Sequence, residues 1–247
     1  MVDNSVPEEL LPTNDLLFEK LFMSEEHKAI PQGFIADFFK IAADLDQIRL
    51  VRPYLIHLGG EAVAAREAEW LNPTEDYPPV RFAADLADGI YEFQLRSAQH
   101  YPKRSLYHMS TRVLYHYGLN EAQPDMKATN WPYGCLQRVY SLDVTQRQYG
   151  DEPHAFHAYG MGRWSNDEFV ALPPDILRMC YLDLTKTLGL TDRQLAWCNF
   201  FKTGLVDAGA PAYLTEAAAL IQYQNLTDAE RRLVKIAEQY KSWSDPE

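Results

Sequence analysis

The chain has 247 residues, of which 47% are hydrophobic and 23% are charged, and its net charge is −12. This composition is typical of a globular protein and excludes a disordered or fibrous chain. The negative charge argues against a general nucleic-acid binder, because such proteins neutralise phosphates with lysine and arginine. A local basic surface stays open, since residues 95–120 contain four basic side chains and no acidic one.

Neither a targeting segment nor a membrane span is expected. The first ten residues contain three acids and no apolar run, which does not fit a signal peptide. No stretch of about 18 apolar residues occurs. The cysteines are odd in number and far apart, at Cys135, Cys180 and Cys198. They favour buried thiols over disulfides or a zinc site, so the sequence predicts a cytoplasmic protein.

Two helices are expected near the start of the chain. The first should begin at Thr13 or Asn14, either of which can cap its free amide groups. The second is expected over residues 31–43, where apolar residues recur at helical spacing. Residues 48–58 are ambiguous between strand and helix, and residues 61–70 are ambiguous between helix and extended chain.

The next segment is a predicted β-hairpin. Residues 80–86 and 90–95 are strand-like runs on either side of Asp88-Gly89, and such a pair between two strands is a strong hairpin signal. A two-residue turn would pair Ala87 with Ile90 and Asp85 with Glu92. Beyond the hairpin we expect a helix over residues 103–117, then strands over residues 136–144, 155–159 and 176–184. Helices should fill the chain from residue 191, the last opened by a capping box, Thr227-x-x-Glu230.

The hairpin would bring two acidic side chains together. Directly opposed residues have Cβ atoms about 4.5–5.5 Å apart on one face, so Asp85 and Glu92 would repel each other unless a cation such as Mg²⁺ lay between them. Gln94 follows Glu92 by two residues and should point to the same face. The three groups could hold a metal ion, activate a water and stabilise charge on a phosphate. The alternative is that both acids are solvated, as most acids on hairpins are.

Six segments also carry a family resemblance, in order along the chain. They are residues 13–22, 71–73, 89–94, 103–108, 138–144 and 181–186. Together they resemble the PD-(D/E)XK nuclease family transposases, also called recombination-promoting nucleases. Residues 89–94, Gly-Ile-Tyr-Glu-Phe-Gln, are similar to the strand that carries the family's Glu-x-Gln signature.

The resemblance implies a restriction-endonuclease-like α/β fold, in which a mixed sheet with an αβββαβ order is flanked by helices. It implies a nuclease-like domain over residues 11–190 and a helical C-terminal extension over residues 191–247. It further implies Mg²⁺- or Mn²⁺-dependent cleavage of DNA in transposition or recombination. The family's site residues carry over to Asp85 and Glu92 as metal ligands, and to Gln94 in the place of the usual lysine.

This chain departs from the family pattern at two positions. A gapless alignment from further upstream places Arg81, which cannot bind a metal, at the first acidic position, whereas hairpin geometry favours Asp85. The late glutamate of the family is replaced by Asp183. Together with the net charge, these departures leave open a catalytically inactive descendant.

Several other residues have both a functional and a structural interpretation. Asp15 could reach the site, or it could sit in the first turn of its helix, where negative charge is favourable. Arg104, His108 and Arg112 recur every four residues on the helix after the site. They could bind phosphates beside the catalytic face, or they could form a solvated helix face.

The first hypothesis is therefore a DNA endonuclease with Asp85, Glu92 and Gln94 in its active site. Gln94 would position the attacking water or polarise the scissile phosphate. An amide is no base at neutral pH, so the base would be a metal-bound water or the phosphate itself. The second hypothesis is an inactive protein of the same fold that serves as a binding or regulatory module, and the third is a hydrolase of another phosphoester. A homodimer is compatible with the first hypothesis, because many nucleases of this fold act as dimers.

Overall fold

The structure is a computed structural model. It describes residues 11–41, 48–51, 81–86, 89–96, 106, 109–110, 113, 138–148, 150–165, 168–171, 176–232 and 234. Within that part, the protein is a mixed α/β structure in which an open sheet is flanked by helices. No helix among the described residues combines the length and the apolar character needed to cross a membrane.

Two helices open the described chain, α1 at Asp15–Met23 and α2 at Ala29–Phe39. The predicted start of α1 is confirmed, because the side chain of Asn14 accepts hydrogen bonds from the amides of Leu16 and Leu17. Helix α2 ends earlier than predicted, because Lys40 adopts the left-handed conformation with φ 59°. A lysine carries no sequence signal for that conformation, which is usually supplied by glycine or asparagine.

The described residues contain eight strands. They are β1 (Arg49–Val51), β2 (Arg81–Leu86), β3 (Gly89–Arg96), β4 (Arg138–Thr145), β5 (Phe156–Gly160), β6 (Gly162–Ser165), β7 (Glu168–Ala171) and β8 (Leu177–Asp183). The predictions for β2, β3, β4, β5 and β8 are confirmed to within two residues at each end. The β6–β7 pair forms a separate two-stranded hairpin that the sequence analysis did not predict.

In the described part of the chain, the main sheet has six strands in the order β1-β2-β3-β4-β8-β5. Strands β1, β2 and β3 form an antiparallel meander. Strand β4 is parallel to β3, and β8 is parallel to β4, so three parallel strands form the centre of the sheet. Strand β5 is antiparallel to β8 at the edge. The described residues between β3 and β4, which are Leu106, Met109, Ser110 and Val113, are helical, as the predicted helix over residues 103–117 requires.

The predicted register of the hairpin is wrong by two residues. Leu86 pairs with Gly89, and Asp85 pairs with Ile90 instead of Glu92. Gly89 is therefore the first residue of β3 and not the second residue of a turn. A Cβ atom on Gly89 would lie 2.6 Å from the carbonyl oxygen of Arg138 on β4. The glycine is needed for this close approach between strands. From the sequence it was expected to lie in the turn of the hairpin.

One face of the sheet is apolar and is covered by helices. Its residues belong to the same buried core cluster as the helices, and they are Tyr91, Phe93, Leu95, Tyr140, Leu142, Val144, Cys180 and Leu182. We call this the helix-covered face. Aromatic rings fill the contact: the centroid of Phe93 lies 5.3 Å from that of Phe22 and 5.2 Å from that of Phe34.

The C-terminal helices α3 (Asp192–Thr203) and α4 (Ala212–Leu220) pack into the same core. Trp197 on α3 lies edge-on to Phe34, with the ring centroids 4.9 Å apart. The Trp197 indole donates a hydrogen bond to Asp37 on α2, and the Tyr213 hydroxyl on α4 donates to the same carboxylate oxygen. Burial and the hydrogen bond to Asp37 raise the pKa of Tyr213 to about 12. This network ties the two C-terminal helices to α2.

Two further predictions hold for the C-terminal part. The capping box at Thr227 is present, because the Thr227 amide donates to the Glu230 carboxylate and the Glu230 amide donates to the Thr227 hydroxyl. Cys180 and Cys198 are free and buried, as expected for structural thiols. Cys135 lies outside the described residues.

Candidate active site

The second face of the sheet is buried but polar. Six polar side chains on it are at most 4% exposed: Glu92, Gln94, Ser141, Asp143, Thr145 and Asp183. We call this set the polar face. Burying a carboxylate costs free energy unless it is paired or hydrogen-bonded. The three buried carboxylates on this face therefore need partners, and Ser141 bonds Asp143 while Thr185 and Lys186 contact Asp183.

Strand pairing places these residues on one face. Successive residues of a strand point to opposite sides of the sheet, so Glu92 and Gln94 share a side. In the parallel pairing of β3 with β4, Glu92 lies opposite Ser141 and Gln94 lies opposite Asp143. The next residues of the same strands, Tyr91 and Leu142 among them, point to the helix-covered face and belong to the core.

A chain of hydrogen bonds crosses from β3 to β4 on this face. The amide nitrogen Nε2 of Gln94 donates to the hydroxyl Oγ of Ser141 over 3.3 Å. The Ser141 hydroxyl in turn donates to the carboxylate Oδ1 of Asp143, also over 3.3 Å. The predicted site residue Gln94 is thus linked to a carboxylate on the neighbouring strand.

Ser141 and Asp143 are not among the site residues predicted from the sequence. The segment was recognised as a core strand, but no site residue was assigned on it. A signal was present: in β4 the polar residues Ser141, Asp143 and Thr145 alternate with apolar ones at period two. The sequence does not indicate which strand pairs with β4, because a parallel pairing is made through a long crossover connection.

Although the predicted register is wrong, the position of Asp85 is still on the same side of the sheet as Glu92. A shift by two residues preserves the alternation, so the backbone position of Asp85 falls on the side of Ile90 and Glu92. It is diagonal to Glu92, at a separation of about 7–8 Å instead of about 4.5–5.5 Å. The position of Arg81 is directly opposite Gln94. The side chains of Asp85 and Arg81 lie outside the described part of the structure.

Asp183 belongs to the polar face but not to the neighbourhood of Glu92. It ends β8 and pairs with Thr145 at the end of β4, four residues beyond the partner of Glu92. Strand spacing and rise place it roughly 16 Å from Glu92. Its carboxylate accepts hydrogen bonds from the Thr185 amide and hydroxyl, and it forms an ion pair with Lys186 at 3.1 Å. These contacts give Asp183 a structural role in closing the turn after β8.

The remaining predicted site residues are not brought to Glu92 by any described contact. Asp15 occupies the first turn of α1, in agreement with its structural interpretation. The predicted phosphate-binding residues Arg104, His108 and Arg112 lie outside the described residues. Their contribution to the site therefore stays a prediction.

The polar face contains oxygen ligands of the kind that a hard cation binds. Carboxylate and amide oxygens of Glu92, Gln94 and Asp143 are of the kind that Mg²⁺ and Mn²⁺ bind. Among the residues that the structure describes, no group of three or more His, Cys, Asp or Glu side chains has an arrangement that could hold a metal ion. A metal site at Glu92 would accordingly need a second carboxylate, and Asp85 and Asp143 are the positions nearest to it in the register.

Comparisons of the chain with protein-family models, with curated proteins and with solved structures found no match.

Proposed function

We propose that the protein is a metal-dependent endodeoxyribonuclease of the PD-(D/E)XK type, with its active site on the polar face around Glu92 and Gln94. The observation that carries the proposal is the burial of these two side chains on a central strand, on the side of the sheet away from the helices that form the core. A carboxylate and an amide two residues apart on one face are the kind of oxygen ligands that the proposed metal site uses.

The element order supports the fold of this proposal. A helix precedes three antiparallel strands, helical residues follow, and β4 then lies parallel to β3. This is the αβββαβ order that the family resemblance implies. The Glu-x-Gln segment lies on the third strand of that order, at the centre of the sheet.

In the proposed site, Glu92 and Asp85 would hold Mg²⁺ or Mn²⁺. The bound cation would neutralise charge on the scissile phosphate and lower the pKa of a coordinated water. Glu92 supplies a ligand from a buried, rigid strand, which limits the movement of the site. Gln94, two residues further along, acts on the attacking water or the phosphate.

The substrate of the proposed enzyme is DNA, cleaved in the course of transposition or recombination, and a homodimer would deliver two cuts. The acidic net charge requires the basic residues that follow β3 to supply the phosphate contacts. The proposal places the protein in the cytoplasm, where reducing conditions suit the free thiols of Cys180 and Cys198.

The decisive experiment is metal-dependent nicking of supercoiled plasmid by the full chain. We expect cleavage with Mg²⁺ or Mn²⁺, no cleavage with EDTA, and loss of cleavage in Glu92→Gln and Asp85→Asn. The matched control is Glu25→Gln, which removes an exposed carboxylate that only pairs with Lys28 on the surface. This control should cleave like the wild type.

Two results would contradict the proposal. Absence of metal-dependent cleavage over a range of pH and salt would favour an inactive protein of the same fold that acts as a binding or regulatory module. Cleavage of RNA or of nucleotide phosphoesters without cleavage of plasmid would favour a hydrolase of another phosphoester. Both substrates are therefore tested beside the plasmid.

A further inference from the structure

We propose that Tyr159 on β5 is a substrate-binding residue whose ring stacks on an unpaired base of the DNA, a few nucleotides away from the phosphodiester bond that is cleaved. The inference rests on the proposed function and narrows its substrate to DNA that has a single-stranded segment at the site, such as a strand end, a flap or a junction. It also supplies a contact with DNA that needs no positive charge.

Strand pairing places Tyr159 on the same side of the sheet as Glu92. Glu92 on β3 pairs with Ser141 on β4, which pairs in turn with Met179 on β8. Met179 then pairs with Tyr159 on β5. Residues that pair directly across neighbouring strands point to the same side of a sheet. The row crosses three strand spacings of about 4.8 Å, so the backbone positions of Glu92 and Tyr159 lie about 14 Å apart.

The side chains along this row change from buried to exposed. Glu92 and Ser141 are buried, and Met179 is half-buried. Tyr159, on the edge strand, is 43% exposed. The proposed metal ligand and an exposed aromatic ring are therefore the two ends of one row. A DNA strand that approaches Glu92 from this edge of the sheet would pass over Tyr159.

The ring of Tyr159 is held in place by Tyr181. The two ring centroids are 5.7 Å apart and the ring planes are inclined by 69°, which is an edge-to-face arrangement. In such a pair the edge of one ring meets one face of the other, so Tyr181 leaves at least one face of the Tyr159 ring uncovered. Because Tyr181 is fully buried, the contact fixes the exposed ring, and a fixed ring loses little conformational freedom when a base stacks on it.

The charge of the chain favours a stacking contact. Basic DNA-binding proteins obtain much of their affinity from electrostatic attraction, and a net charge of −12 weakens that contribution here. Stacking of a base on an aromatic ring needs no charge, and proteins that bind single strands use such rings.

The contact requires an unpaired or terminal base. The faces of a base inside a duplex are covered by its neighbours in the stack, so such a base cannot reach Tyr159. One strand of B-DNA advances about 3.4 Å per nucleotide, so about four nucleotides span the distance between Glu92 and Tyr159.

The first test measures binding and needs no cleavage. The probe is a short single-stranded oligonucleotide that contains 2-aminopurine, a base whose fluorescence falls when it stacks on an aromatic ring, and EDTA is present. We expect the wild-type full chain to quench this fluorescence. Tyr159→Ala should lower the affinity about 5- to 150-fold, the usual effect of removing a ring that stacks on a base. Tyr159→Phe keeps the ring and should keep the affinity.

Tyr223→Ala is the matched control for this test. Tyr223 is 49% exposed and lies outside the sheet, with its ring centroid 4.6 Å from the guanidinium carbon of Arg231, so the variant should bind like the wild type. The salt dependence of the affinity should be equal in Tyr159→Ala and the wild type, because a neutral ring releases no counterions. Tyr159→Leu keeps an apolar contact with Tyr181 but has no aromatic face. It should lose affinity like Tyr159→Ala, and it stays informative if the alanine variant folds poorly.

The second test measures cleavage of two oligonucleotides of the same sequence, one with a single-stranded arm and one fully paired. In Tyr159→Ala, KM for the first substrate should rise by a factor similar to the loss of affinity, while kcat stays at the wild-type value. The reason is that a contact remote from the reacting atoms contributes equally to the binding of substrate and transition state. Cleavage of the fully paired substrate should be unchanged.

The outcomes separate this inference from the proposed function. Equal affinity in the wild type and Tyr159→Ala would overturn the inference. An equal loss in Tyr159→Phe would also overturn it, because the contact would then belong to the hydroxyl. A dimer that dissociates in Tyr159→Ala, with the affinity for the oligonucleotide unchanged, would assign this surface to a second copy of the chain instead. A wild type whose binding and quenching depend on Tyr159, but which cleaves no DNA, would contradict the proposed function and support the inference.

Discussion

The two faces of the sheet are made from alternate residues of the same strands, and both are buried. On β4, Leu142 and Val144 join the helix-covered core, whereas Ser141 and Asp143 belong to the polar face. Burial by itself therefore does not identify a core position in this protein. A core position is identified by the chemistry of the buried group, because burial of apolar groups stabilises the fold and burial of carboxylates destabilises it.

The difference suggests that one face stabilises the fold and that the other carries the proposed site. The helix-covered face packs against aromatic rings from α1, α2 and α3, and the burial of this apolar surface stabilises the fold. The polar face places the proposed site on the central parallel strands. Substitutions should accordingly separate: those on the first face should change the free energy of unfolding, and those on the second should change activity.

The largest expected effect is on the helix-covered face, at Phe34. Its ring packs against those of Phe22, Phe38, Phe93 and Trp197, at centroid distances between 4.8 and 5.2 Å. Phe34→Ala should lower the free energy of unfolding by about 3–5 kcal/mol, because it removes a fully buried ring and leaves a cavity. Urea unfolding measures this. Phe34→Leu is the conservative control and should lose less, and a loss below about 1 kcal/mol in Phe34→Ala would show that the rings do not form the core.

Two adjacent residues of β4, one on each face of the sheet, allow the most direct comparison of the two faces. Leu142→Ala should cost about 2–5 kcal/mol of stability and leave kcat per folded molecule unchanged. Ser141→Ala, one residue away on the opposite face, should cost about 1–3 kcal/mol through the partners it leaves unsatisfied, and it should lower kcat. Chemical unfolding and plasmid nicking are measured on both. Equal losses of kcat in the two variants would contradict the division between the faces.

Local side-chain chemistry made much of this fold predictable. The cap at Asn14 and the capping box at Thr227 depend on groups within three residues of each other, and the structure contains both. Alternation placed Glu92 and Gln94 on one face, and this stays true whatever the register. Strand-like runs located β3, β4 and β8 to within two residues at each end.

The errors came from contacts that are distant in the sequence. The Asp88-Gly89 pair predicted a turn, but Gly89 is required by the approach of Arg138 on a strand that lies 49 residues later. Gly89 is instead the first residue of β3 and pairs with Leu86, and in this register Asp85 faces Ile90. The hydrogen bond from Gln94 to Ser141 likewise joins residues 47 apart in sequence. No local pattern in the chain encodes such a pairing.

A smaller effect is expected at the contact between α2 and α4. A Cβ atom on Gly33 would lie 2.6 Å from the ring of Tyr213, which is held by its hydrogen bond to Asp37 and by stacking on Trp197. Gly33→Ala should therefore cost about 1–3 kcal/mol from overpacking, partly offset by a gain of about 1 kcal/mol in helix propensity. In the Tyr213→Ala background the clash is gone, so the same substitution should become stabilising. Urea unfolding of the four variants measures this, and the same sign in both backgrounds would refute the packing argument.

The smallest expected effect depends on pH and lies at the rim of the helical layer. Lys20 on α1 forms an ion pair with Glu230 at 2.7 Å. The Glu230 carboxylate also accepts a hydrogen bond from the Thr227 amide. Partial burial alone would raise the pKa of Glu230, but the hydrogen bonds from Lys20 and Thr227 outweigh it and hold this pKa below its usual value. The stabilisation from Glu230 is therefore present above the unfolded-state pKa of about 4.3 and is lost as the pH falls through the lower, folded-state value.

Replacement of Glu230 tests that sign. At pH 7, Glu230→Gln should unfold at a lower urea concentration than the wild type, by well under the effect of Phe34→Ala, because a partly exposed ion pair contributes little. The difference should shrink as the pH is lowered from 5 towards 3, since the wild-type carboxylate becomes protonated and resembles the amide. Asp228→Asn is the control, because the Asp228 carboxylate is largely exposed in its pair with Arg231. A stability difference for Glu230→Gln that stays constant from pH 7 to pH 3 would mean that the charge of Glu230 contributes nothing, and that the contact between Lys20 and Glu230 depends on packing alone.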